Sequence, residues 1–154
     1  MDVAEWLLDH GADVNSQDNL LNTPLQLASI WGHFMFVRML LKRKADVDMR
    51  GMEGGLAFHD ASHAWNVRDQ LDIMRLLLEY GTDVNARDNE RSTPLHTLLF
   101  RSVKKPSVEA VRLLIKYGVD IDAKDNEGGT ALQSASVKGY DENVQLLSEK
   151  GGAQ

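Results

Sequence analysis

Cysteine is absent from the 154 residues. That excludes disulfides and thiolate-held metals and fits an intracellular home, cytoplasmic or nuclear. No apolar run approaches the roughly 20 residues that span a bilayer, so no membrane segment is expected. The opening MDVAEWLLDHG lacks the basic stretch followed by an apolar one that marks a secretory signal. Cations are scarce as well: 17 Lys and Arg against 23 Asp and Glu give a net charge of −6. Binding along a phosphate backbone needs a concentrated basic surface, so no nucleic-acid partner is expected. Catalytic signatures are also missing: there is no G-x-S-x-G, no P-loop, no dinucleotide-binding glycine pattern and no cysteine nucleophile. The chain is not expected to be an enzyme or to hold a cofactor. What remains, 43% hydrophobic and 26% charged residues, is a globular composition.

What the sequence does have is a repeated phrase. Gly11, Lys44, Gly81, Gly118 and Gly151 close successive apolar segments at intervals of 33, 37, 37 and 33 residues. The first four are followed by variants of Ala-Asp-Val-Asn, beginning at Ala12, Ala45, Thr82 and Val119. Next come hairpins opening at Asp18, Gly51, Asp88 and Asp125. These lead into Thr23-Pro24-Leu25-Gln26, Leu56-Ala57-Phe58-His59, Thr93-Pro94-Leu95-His96 and Thr130-Ala131-Leu132-Gln133. Thr23 and Thr93 suit helix N-caps, and Pro24 and Pro94 fall where the first helical N–H is unpaired anyway. The glycines suit the left-handed residue that ends a helix. Apolar spacing of i, i+3 and i+4, as in Ile73, Leu76, Leu77 and in Val111, Leu114, Ile115, makes each second segment an amphipathic helix. A two-helix unit this small has too little apolar surface to fold alone, so neighbours must stack.

A period near 33 carrying Thr-Pro-Leu-His resembles the ankyrin-repeat family over nearly the whole chain. The resemblance implies an all-α solenoid of helix-turn-helix repeats joined by β-hairpin-like loops, in one domain over residues 1–154. The expected division is a partial repeat at 1–17, then 18–50, 51–87, 88–124, and a C-terminal cap at 125–154. Val3 to His10 reads as a second helix without a first, so the stack is expected to start mid-repeat. The C-terminus is expected to be natural, with Asn143 and Ser148 as solubilising replacements for the Phe36 and Leu41 of the second repeat. Lys44 in the turn position costs roughly 1–2 kcal/mol, and Leu56-Ala57 forfeits a cap hydroxyl worth about 1 kcal/mol. The third repeat, which also has Gly51 in place of the hairpin Asp, should therefore be the least regular. Four extra residues separate the two helices in each 37-residue repeat, around Trp65 to Arg68 and Ser102 to Lys105. These are surface insertions, expected side by side on one face.

Recurrence separates structure from recognition. Asp13, Asp46, Asp83 and Asp120 form one column and Asp18, Asp88 and Asp125 another. A residue that returns at the period does the same local job each time, here turn and hairpin hydrogen bonding, whereas a catalytic carboxylate pair would break the repeat. His59 and His63 stand four apart, as a metal pair could. The resemblance instead gives His59 and His96 a structural hydrogen bond near the hairpin, and no metal site is expected. It likewise gives Asn15 and Asn85 a turn-stabilising role, at a position sometimes hydroxylated in ankyrin repeats.

In ankyrin-like stacks, hairpin tips and the exposed side of each first helix form a groove for protein or peptide partners. The residues expected there are Leu20, Ile30, Trp31, Met52, Glu53, His63, Trp65, Arg87, Asn89, Glu90, Phe100, Arg101, Glu127 and Lys138. Leu20, Glu53, Glu90 and Glu127 share one tip position, and Arg50, Arg87 and Lys124 precede the hairpins as a parallel basic column. Either charge column also reads as solvated turn residues balancing each other. Trp31 and Phe100 also read as packing against a neighbouring first helix, and Trp65 as a pin for its loop. The expected function is a protein–protein interaction module whose partner carries basic and apolar groups. The alternatives are a structural spacer within a larger protein, or self-association through the Trp6 face.

Overall fold

The computed structural model describes residues 3–66, 68–102 and 104–151. Gly152, Ala153 and Gln154, and Val67 and Val103 within the two insertions, lie outside the described residues. Among the described residues there are nine α-helices and no strand. They are α1 Val3–Asp9, α2 Pro24–Ile30, α3 Phe34–Lys42, α4 Ala57–Ser62, α5 Gln70–Glu79, α6 Pro94–Phe100, α7 Val108–Lys116, α8 Ala131–Val137 and α9 Asp141–Gly151. First helices α2, α4, α6 and α8 pack in one row, and second helices α3, α5, α7 and α9 pack in a row behind it. The result is the all-α solenoid expected from the repeat. Its one β-like feature among the described residues is an antiparallel bridge between Lys124 and Thr130, within a hairpin loop.

The core lies between the two rows. Phe58 from the first row and Ile73, Met74, Leu77 and Leu114 from the second are fully buried, as are Leu95, Leu98 and Leu99 on α6. Each such side chain contributes roughly 1.5–3 kcal/mol, and the cluster runs unbroken from Leu25 to Leu147. This is how units too small to fold alone are stabilised by their neighbours. α1 has no buried residue; Val3, Trp6 and Leu7 are exposed, and the Trp6 indole stacks on His10 at 3.9 Å.

Local chemistry explains the ends of the helices. Gly11, Gly81 and Gly118 hold φ near +80 to +90°, and Lys44 is forced to +63° at the same place. Gly151 departs from the expectation: it is the last residue of α9, which continues where α3, α5 and α7 have already turned. Thr23 and Thr130 accept the amides of Gln26 and Gln133, but the Thr93 hydroxyl goes to the His96 ring at 2.9 Å instead of to an amide. α4, whose N-cap Leu56 has no hydroxyl to offer, is the shortest of the described helices at six residues. Asn143 needs a correction. It is fully buried rather than solvent-facing, and its Nδ2 donates 3.2 Å to the Pro106 carbonyl. A polar residue in that place ties the α9 layer to the segment leading into α7 instead of solubilising it.

Candidate partner-binding surface

The hairpins are fixed before they present anything. Asp13, Asp46, Asp83 and Asp120 each accept the amide two residues on, at 2.9–3.1 Å. Asp18, Asp88 and Asp125 each accept two amides, two and four residues on, at 2.8–2.9 Å. Those amides, that of Asn22 first, hold Asp18 below the usual carboxylate range. Both columns are thus spent on turn geometry.

A second set of residues joins one repeat to the next. The amides of Met52, Asn89 and Asn126 donate to the carbonyls of Leu20, Glu53 and Glu90 at 2.9–3.2 Å, making a continuous strip of tips. Asn89 adds an Nδ2 bond to the Met52 carbonyl at 3.0 Å. The basic column does similar work: Arg50 Nη1 donates to the Arg87 carbonyl at 2.7 Å, and Arg87 Nη1 to the Lys124 carbonyl at 2.9 Å. Asn15 and Asn85 accept the Asp46 and Asp120 amides across the same seam, at 2.8 and 2.7 Å.

The Thr-Pro-Leu-His position is the most informative of these joints. His59 Nδ1 accepts the Leu56 amide at 3.1 Å while its Nε2–H donates to the Ser92 carbonyl at 3.2 Å. His96 repeats this between the Thr93 amide and the Gly129 carbonyl, at 3.3 Å each. A backbone N–H on one side and a carbonyl on the other require the neutral Nε2–H tautomer. Gln26 does the same with Oε1 on the Thr23 amide and Nε2 on the Gly55 carbonyl, both at 3.0 Å. Burial, the dominant cause, holds His59 below the usual imidazole range. With both nitrogens engaged His59 has no lone pair for a metal, and His63 Nδ1–H donates to the His59 carbonyl at 2.8 Å. Among the described residues no group of three or more His, Asp or Glu is placed to hold a metal ion.

Two cavities open between the tips and the first helices. One, of about 430 Å³, is lined by Leu20, Ile30, Met52, Glu53, His63 and Arg101 among others. The other, of about 460 Å³, is lined by Glu90, Phe100, Arg101, Glu127 and Lys138 among others. Arg101 joins them: its guanidinium bridges Glu53 at 2.8 Å and Glu90 at 3.1 Å, and these pairings, that with Glu53 first, raise its pKa further. Lys138 Nζ lies 5.2 Å over the Phe100 ring and also donates to the Phe100 carbonyl. Trp31 and Trp65 line neither cavity. They stack on each other with centroids 6.3 Å apart and remain 54% and 60% exposed. The Trp65 amide donates 2.9 Å to the Ile30 carbonyl, which docks the first insertion against the end of α2. Arg87 and Asn89 line neither cavity and serve the seams described above.

One residue of the site has no counterpart among the expected ones. Asp60 lines the first cavity, and its pKa is raised to about 7, first by desolvation and then by Glu53. The signal was present: the column following the glutamine/histidine position reads Leu27, Asp60, Thr97, Ser134, so this acid does not recur.

Helices paired in two rows, hairpin tips stitched into a strip and a cavitied face beneath them define an all-α repeat solenoid. A family model described as ankyrin repeats (3 copies) matches residues 1–88 and 58–154. The chain belongs to the ankyrin-repeat family, whose members are generally non-enzymatic protein-interaction modules. It is 41% identical over 61 residues to the ankyrin repeat-containing protein YIL001W of Saccharomyces cerevisiae, covering 40% of this chain and 12% of that one. It is 39% identical over 59 residues to inversin of Gallus gallus, covering 38% of this chain and 5% of that one. The chain thus spans a small part of the length of these relatives. Among the described residues no helix is long and apolar enough to cross a membrane.

Proposed function

We propose that the chain docks a protein or peptide segment on the face formed by the hairpin tips and first helices. The observation that carries this reading is the coexistence of exposed large apolar groups and a rigid frame. Leu20, Trp31, Met52, Trp65 and Phe100 are each 54–61% exposed, on or beside tips that inter-repeat hydrogen bonds hold at fixed spacing. Aromatic anchors beside charged rims are the usual composition of an energetic interface centre, and a preformed surface loses little entropy on binding. The apolar groups supply most of the affinity, and Glu53, Glu90 and Glu127 set register and on-rate for a partner with basic groups. Linear dodecapeptides selected by phage display on the intact chain test the reading by calorimetry. Replacing both Trp31 and Phe100 by Ala is expected to weaken their binding at least tenfold with the thermal melt unchanged. Undiminished binding by this double variant overturns the groove reading.

A spacer role, in which the stack sets the angle between flanking domains, is the second reading. It draws on the small share of the relatives' length that the chain covers, and it predicts that no peptide is enriched.

A further inference from the structure

Ankyrin-type docking leaves open which side chain of a partner is recognised, and Asp60 narrows this. Each element around its cavity contributes polar or charged groups: Gln26 from α2, Glu53 and Asp88 from the tips, His59 and His63 from its own helix and its end, and Arg101 from the end of α6. Nearly all are engaged. Gln26 serves Thr23 and Gly55 while also facing the Asp60 carboxyl, and Asp88 holds its own hairpin. Both nitrogens of His59 are used, and the His63 Nδ1–H goes to a backbone carbonyl. Arg101 is divided between Glu53 and Glu90. Among the described residues no cation lies within salt-bridge distance of the Asp60 carboxyl. Arg101 attracts the carboxyl only through space, being bridged to the two glutamates, and that attraction does not offset the desolvation that raises the Asp60 pKa. A half-buried carboxyl without a paired cation is costly.

The surroundings indicate what would supply it. Ile30 and His63 line the cavity and lead within two residues to Trp31 and Trp65, the exposed stacked pair. An acidic hole thus opens beside an aromatic platform. Lys and Arg suit such a place because their methylene stems lie on apolar surface while the charged head reaches further. The tip glutamates make a poorer anchor: Glu53 and Glu90 have side chains 75% and 69% exposed and are already bridged, and exposed pairs contribute little. A charge-assisted bond to the half-buried Asp60 is less screened by water than one to the exposed tips.

We propose that this cavity receives one arginine or lysine side chain of the docked segment, with Asp60 as its counter-ion and the Trp31–Trp65 pair holding an adjacent apolar residue. The proposal rests on the docking reading above and adds the chemistry the segment must carry. A proton linkage follows. The free protein holds a proton on Asp60 up to about pH 7, and an arriving cation favours the ionised form, so binding releases that proton. Affinity therefore climbs as pH rises towards 7, by up to tenfold per unit, and levels off above it. His59 and His63, both held below the usual imidazole range by burial, are neutral above pH 6.5 and add no charge there.

The selected dodecapeptides, measured by calorimetry at pH 6 and pH 8, test the proposal. The expected peptides carry an Arg or Lys beside a large apolar residue. Asp60→Asn should weaken them tenfold or more at pH 8 and abolish the pH dependence. Citrulline in place of the peptide's arginine should cost the wild-type chain the same factor and Asp60→Asn almost nothing further. Peptides that lose binding with Trp31→Ala but not with Asp60→Asn, or that bind without a basic residue, overturn the pocket and leave groove docking intact. Peptides indifferent to both substitutions, or no selected peptide at all, overturn groove docking and the pocket with it.

Discussion

Asp60→Asn is also a sharp test of the structure when no partner is present. The unfolded chain releases the Asp60 proton near 3.8, while the folded chain keeps it to about 7. A raised carboxyl pKa stabilises the native state below the unfolded value, and that contribution is lost as pH rises through the folded value. Between pH 5 and the folded value the loss runs at about 1.4 kcal/mol per pH unit, so the retained proton contributes about 3 kcal/mol at pH 5. At pH 8 the contribution is gone. An asparagine at this position does not titrate, so the variant should gain about 2–3 kcal/mol on wild type between pH 5 and pH 8, the partial exposure of Asp60 making this an upper value. His59 and His63 act with the opposite sign, since depressed imidazoles lose stability as pH falls below about 6.5. They are present in both chains and cancel in the difference. Urea unfolding followed by circular dichroism at pH 5, 6.5 and 8 measures it. Stability curves that stay parallel within about 0.5 kcal/mol would show that the carboxyl is solvated and the cavity open to water.

Other substitutions probe the frame. His59→Gln should change stability by less than about 1 kcal/mol, because Gln26 makes the same pair of bonds one repeat earlier; His59→Ala should cost about 2–4 kcal/mol, as it strands a buried amide and a carbonyl and leaves a void. Both are read from urea midpoints. Lys44→Gly, at φ +63°, should stabilise by about 1 kcal/mol in the same assay. Gly32→Ala should destabilise by about 2 kcal/mol or more, because φ is +69° and a Cβ there would lie 2.7 Å from the Asn66 Cβ and carbonyl oxygen. It should also alter tryptophan fluorescence by displacing Trp65 from Trp31.

The sequence makes the frame legible because the frame repeats. Asp13 and its equivalents accept the same amide four times, and a job done four times leaves four copies of a letter. His59 and Gln26 show the limit of that inference: the letters differ, yet an acceptor and a donor at the right separation make them interchangeable. Arg87 shows another limit. Its column is visible in the sequence, but the carbonyl it serves belongs to the next repeat, at a distance only the stacking sets. The Asn143 environment was not legible either, because its Nδ2 bonds to the Pro106 carbonyl just after the second insertion, a partner the letters of its own repeat do not reveal.

Non-recurring letters carry the remaining information, and their order along the stack has a direction. At the end of the first helices the chain reads Trp31, Ala64, Arg101, Lys138, and at the tips Leu20, Glu53, Glu90, Glu127. Towards the C-terminal half the two columns satisfy each other or their neighbours: Arg101 closes on two glutamates, and Lys138 covers Phe100. Towards the N-terminal half they do not. The Trp31–Trp65 pair stays open to water, and Asp60, in the cavity that reaches Leu20 and Met52, is bridged to no cation among the described residues, Arg101 of the same cavity being paired with Glu53 and Glu90. A partner gains little by displacing Arg101 from bridges already formed and more by covering an indole pair and supplying a missing charge. The same asymmetry gives Arg101 its part in the proposed docking: by engaging Glu53 and Glu90 it leaves Asp60 with only its through-space attraction, so the proposed recognition centres on one place of an otherwise periodic surface.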